Sequence, residues 1–126
     1  MNYIRLSLII LINYIFTILT FYLVKAKPKS QISELRKELE SNKIIDMKPF
    51  GKTLQKSLEN ARIHNSNQEY AARIEEDYCS PPLAMERESV LDRYFDDISV
   101  ERVNTEQEGW NKIRGNQRLW YINPQA

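Results

Sequence analysis

Cysteine, histidine and glycine are nearly missing from this chain of 126 residues, and each shortage excludes something. The single cysteine, Cys79, allows no internal disulfide, which is how small secreted domains with poor cores are usually held. The single histidine, His64, is far from Cys79 in sequence, so there is no Cys/His cluster of the kind that holds zinc. The three glycines, Gly51, Gly109 and Gly115, are scattered, which rules out a glycine-rich phosphate loop. No Asn-x-Ser/Thr acceptor occurs, although asparagine is common. Beyond residue 24 apolar side chains are also scarce. They make up about a third of the remainder, low for a core that must stand alone. Without a triad, a metal set or a phosphate loop, the expectation is a non-enzymatic chain with no cofactor.

One long apolar run is present. "LSLIILINYIFTILTFYLV", residues 6–24, has no charge, glycine or proline. At about 1.5 Å per residue it would span roughly 28 Å as a helix, close to the hydrocarbon thickness of a bilayer. It is longer than the apolar part of a signal peptide. Tyr3, Phe21 and Tyr22 stand where interfacial aromatics would, and Arg5 and Lys25 bound the ends. The run therefore predicts a retained transmembrane helix and a single-pass protein. Asn13, Thr17 and Thr20 share one helical face and are the expected packing stripe for other membrane helices. Lys25, Lys27 and Lys29 follow at once and are expected at lipid headgroups. The alternative is a cleaved leader, with a small secreted protein released near Ala26.

After the run, apolar spacing predicts short amphipathic helices. Ile32, Leu35 and Leu39 mark one over about 30–41, and Leu54, Leu58 and Ala61 mark another over 52–64. Ser66 and Glu69 form a capping box for a third, running to Tyr78. Val90, Leu91, Tyr94, Phe95 and Ile98 give the broad face of a fourth, over 82–103. Thr105 and Glu108 cap a fifth that ends near Gly115. No strand alternation is sustained and no repeat is seen. The expected fold class is all-α: one N-terminal transmembrane helix and several short helices, extended rather than compact.

Charge divides the rest. Residues 25–62 carry ten basic and five acidic groups, whereas 63–108 carry four basic and twelve acidic. The expected organisation is an N-terminal flank (1–5), the membrane helix (6–24), a basic juxtamembrane segment (25–62), an acidic helical segment (63–108) and an aromatic, basic tail (109–126). The outer part has no basic surface, so nucleic acid is not an expected partner. Neither is a small-molecule substrate. Tyr94, Phe95, Trp110, Trp120 and Tyr121 are the expected docking points, because large aromatics near arginine dominate protein interfaces. Glu88, Asp92 and Asp96 form an expected solvated strip.

The functional expectation follows from these parts. It is a non-catalytic, single-pass accessory subunit of a larger membrane complex, located in the mitochondrial inner membrane with a respiratory-chain or ATP-synthase complex. The rival of the same topology is an assembly or scaffold factor. Expected partners are other subunits and the lipid bilayer.

Overall fold

The computed structural model describes residues 20–120. Four strands run through it: β1 (Phe21–Pro28), β2 (Arg62–Ile63), β3 (Ala71–Glu76) and β4 (Phe95–Val103). Helices α1 (Ile32–Glu40) and α2 (Gly51–Glu59) lie between β1 and β2. A helical segment over 84–94, α3, joins β3 to β4. It consists of Ala84–Glu86, a π turn at Arg87–Leu91, and Asp92–Tyr94. Helix α4 (Glu106–Ile113) follows β4. The sheet order is β2-β3-β1-β4, with β1 antiparallel to both neighbours and β2 antiparallel to β3. With helices after β1 and β3, this is the βαββαβ split arrangement.

The sheet is covered on both faces, so its middle strands are not amphipathic in the usual sense. In β1, Leu23 faces one layer while Val24 and Ala26 face the other, and all three are buried. Paired positions share a face: Leu23 stands opposite Ile74, and Val24 opposite Arg73. The larger layer holds Val24, Ala26 and Ala71 beneath Leu35, Leu39, Leu54 and Leu58 of α1 and α2, with Leu83, Val90, Leu91 and Tyr94 beside them. The smaller layer holds Leu23, Ala72, Ile74 and Val103 against Ile113 of α4. Each fully buried Leu, Ile, Val or Phe supplies about 1.5–3 kcal/mol. Gly109 lets α4 lie close, because a Cβ there would stand 2.6 Å from the Ile74 side chain. Thr105 caps α4, its Oγ1 accepting from the Glu108 N–H at 3.0 Å.

Strand β4 forms one edge of the sheet. Its pairing with β1 shifts between Lys25 and Lys27, so that Asp97 and Ile98 stand opposite Ala26 alone. Asp97 takes a positive φ of 53° at this bulge, and its Oδ2 accepts from the Tyr70 hydroxyl at 3.1 Å.

The chain is not all-α and not extended. Its described residues form a four-stranded sheet and four helices around a two-sided core. No helix among the described residues is long and apolar enough to cross a membrane. The last part of the apolar run, Phe21–Val24, lies inside β1, paired on both sides. Aromatic and β-branched side chains that suit lipid equally suit a strand buried on both faces. The single-pass membrane assignment, and the inner-membrane location built on it, are therefore not retained. Residues 6–19 of the run, with Asn13 and Thr17, lie outside the described residues.

Two helix expectations also change. Residues 71–76 form a strand, and the spacing by four of Tyr70, Ile74 and Tyr78 that suggested a helix is also a multiple of the strand period. The expected 82–103 helix stops at Tyr94, where φ and ψ of Phe95 turn extended and β4 begins. The β-branched Ile98, Val100 and Val103 belong to that strand.

Candidate functional site

Alternation along β3 puts Arg73 and Glu75 on the face toward α2, and the chain carries Asp77 on in the same direction. The register fixes this, since Arg73 pairs with the core residue Val24. The Arg73 Nη1 donates to Ser57 Oγ of α2 at 2.9 Å and forms an ion pair with Glu75. Glu86 reaches the same place from the first turn of α3. Relative exposures are 4% for Arg73, 2% for Glu75, 5% for Asp77 and 1% for Glu86. Three carboxyl groups thus share the interior with one guanidinium, and buried charge of this kind is costly unless compensated.

The segment between β3 and α3 is held by Asp77. Its Oδ2 accepts from the N–H groups of Leu83 at 2.6 Å and Cys79 at 3.2 Å, while its own N–H donates to the Thr20 carbonyl at 3.0 Å. Leu83 has a positive φ of 63°, an unfavourable conformation for a bulky residue without a polar side chain. The π turn follows directly after Glu86. Such turns recur at functional sites.

A cavity of about 290 Å³ opens over this segment. Its apolar wall comes from Pro49 and Phe50 ahead of α2 and from Met85 and Tyr78, both exposed. Asp77, Cys79 and Glu86 line it too. One ligand-capable atom from each of these three lies within 4.8 Å of the others. Oε2 of Glu86, Oε2 of Glu75 and Nη2 of Arg73 are buried with no hydrogen-bond partner among the described residues. A larger groove of about 490 Å³ runs beside α4, but Thr105, Gln107, Glu108, Asn111 and Lys112 line it and none is buried.

The electrostatics follow from burial. Desolvation, then the charges of Glu75 and Asp77 and a hydrogen bond between the Glu86 and Asp77 carboxyl groups, push the Glu86 carboxyl up to about 8, with Arg73 opposing. Burial also raises Glu75, and Arg73 offsets part of that rise. Burial pushes the Cys79 thiol up as well, with the Asp77 and Glu86 charges adding to it against a Met85 backbone contact. Glu86 therefore keeps its proton at neutral pH, and the thiol is held as the weakly nucleophilic protonated form.

The residues singled out from sequence lie elsewhere. Tyr94 and Phe95 are core residues, at 3% and 5% exposure, so their surface is spent inside the fold. Trp110 packs half-buried beside the smaller layer, and Trp120 half-buried beside the larger, its indole N–H donating to the Leu58 carbonyl. Tyr121 lies outside the described residues. Thr20 leads into β1 and accepts from the Asp77 N–H. Lys25 is half-buried on β1, and Lys27 meets Glu69 at 3.6 Å. Lys29 donates to the Asp92 carbonyl at 2.7 Å and meets Asp96 at 3.7 Å. Glu88, Asp92 and Asp96 are exposed, and His64 sits in the β2–β3 turn, its Nδ1 accepting from Ser66 and Asn67 N–H groups. Arg73, Glu75 and Asp77 were missed as a group. Their alternation in "RIEED" is the signal, visible only once the segment is read as a strand.

Comparison with known protein families, with curated proteins and with solved structures finds no match for this chain.

Proposed function

We propose that this chain is a non-catalytic accessory domain that works by binding a cationic guest in the cavity over Asp77, Cys79 and Glu86. The observation that carries the reading is Glu86, which lines the cavity, is 1% exposed and has an Oε2 without a hydrogen-bond partner among the described residues. A buried acceptor without a partner costs about 1–3 kcal/mol, and more when charged. Evolution removes such a cost easily by substitution. It persists most readily where a bound group satisfies it.

The sign of the guest follows from the surroundings. Glu75, Asp77 and Glu86 outnumber Arg73, and a proton on Glu86 now makes up part of the difference. A cation can take that proton's place and pair with the carboxylate it leaves. Binding rather than turnover suits the other groups. The thiol is protonated, and the lone histidine does not line the cavity.

Thermal unfolding of the full chain with a panel of organic ammonium and inorganic divalent cations tests this. Cations should raise the Tm, while neutral molecules of the same shape should not. Glu86→Gln should abolish the effect in a variant that still folds. A Tm indifferent to every cation, or a shift of equal size in Glu86→Gln, would refute the reading.

A further inference from the structure

Resting on the binding role just proposed, we infer that the guest is a thiophilic divalent metal ion, held by a carboxylate oxygen of Asp77, the sulfur of Cys79 and a carboxylate oxygen of Glu86. These three atoms already lie within 4.8 Å of one another. Metal–oxygen bonds of about 2.1 Å and metal–sulfur bonds of about 2.3 Å around a tetrahedral ion put ligand atoms roughly 3.5 Å apart. Closing onto an ion thus needs a shift on the order of 1 Å.

Two observations outside the cluster's own geometry point to a ligand. The first is Glu86, a cavity-lining residue, almost fully buried, whose Oε2 has no hydrogen-bond partner among the described residues. The second is Glu75, also almost fully buried, with an unpartnered oxygen and a charge that acts on Glu86. This adds negative potential behind the site that Arg73 only partly offsets. A dication bound at the Glu86 carboxylate meets that potential.

The donor set chooses the class of ion. Calcium and magnesium are held by oxygen alone, so a thiolate in the set disfavours them. Two oxygens and one sulfur suit zinc, cobalt or cadmium. Three protein ligands leave a fourth position on the cavity side, where water or a partner's side chain can bind. The site is also pre-shaped. Asp77 is held by the Leu83 and Cys79 N–H groups, and Glu86 is fixed to a helix, so little ordering is required on binding.

The test uses the full chain, first stripped of metal with a chelator and then titrated with Co²⁺. The expected result is one equivalent bound, with the near-ultraviolet thiolate-to-cobalt band and the intense visible bands of a tetrahedral ion. Cys79→Ser should remove the near-ultraviolet band. Asp77→Asn and Glu86→Gln should each weaken binding by at least roughly tenfold. Zn²⁺ should displace cobalt, and Mg²⁺ and Ca²⁺ should not. Circular dichroism confirms that each variant is folded.

Absence of the charge-transfer band in folded protein would overturn the inference. So would a band unaffected by Asp77→Asn and Glu86→Gln, which would mean the thiol alone binds cobalt at the surface. The same samples separate the two proposals. If organic ammonium ions raise the Tm through Glu86 while Co²⁺ and Zn²⁺ do not bind, the metal is wrong and the cationic cavity stands. If neither kind of cation acts, both fail.

Discussion

The two faces of one sheet are built on opposite principles. Under α4, Leu23, Ala72, Ile74, Val103 and Ile113 meet with no buried charge among them. Under α2 and α3, the same strand β3 sends in Arg73 and Glu75, joined by Asp77 and Glu86. Successive residues of a single strand thus alternate between a layer that gains by excluding water and one that sets aside part of that gain. A fold needing only stability could have used aliphatic residues on both sides. The contrast separates the part of the molecule that holds it together from the part that holds something else.

Breaking the charged face should have the largest effect. Arg73→Met leaves Glu75 buried without its partner and should cost about 3–5 kcal/mol in urea unfolding. Arg73→Met combined with Glu75→Leu should recover most of that loss, by the same argument. If the double variant is no better than the single one, Arg73 matters through packing or Ser57 rather than through its charge. On the apolar face, Ile74→Ala should cost about 2–4 kcal/mol, with no pH dependence of its own.

The pH profile sharpens the comparison further. Glu86 titrates at about 8 when folded, against an ordinary 4.5. Below about 4.5 it is protonated folded or unfolded and adds no dependence. From there to about 8 the unfolded chain has lost the proton and the folded one has not, so stability falls as pH rises. Above 8 the loss is constant. Metal-free Glu86→Gln should therefore show a flatter profile, differing from the parent by roughly 2–4 kcal/mol across that window. Equal slopes in parent and variant would mean that Glu86 is not the titrating group. The smallest effect is expected at the α4 cap, where Thr105→Ala should cost about 1 kcal/mol and leave the charged face and its cation response untouched. Loss of cation response in that variant would couple the two faces.

How much of this could be read from residues alone differs from element to element. Leu35/Leu39 and Leu54/Leu58 mark α1 and α2 because i, i+4 pairs bury one helical face. Thr105 and Glu108 mark the start of α4 because a cap is local chemistry. The strands were hidden for a tertiary reason. A strand covered on both sides loses the alternation that announces it, and Phe21–Val24 then resembles the end of a membrane helix. The site was hidden one level further down. Asp77 and Cys79 are separated from Glu86 by the proline-containing stretch 80–82 and meet it only through the turn at Leu83 and the first turn of α3. Glu86 in particular was indistinguishable from its exposed neighbour Glu88 until the packing was known.

The position of β1 carries a consequence for where this folding unit starts. A chain beginning at residue 27 would keep α1, α2 and α4 but lose Phe21–Ala26, and with them the strand that joins β3 to β4. The sheet would separate into a short two-stranded ribbon and an orphaned edge, and both layers would be left open. Proteolytic release near Ala26 would therefore remove most of β1, and a shortened chain is expected to lose stability sharply once it starts beyond Phe21.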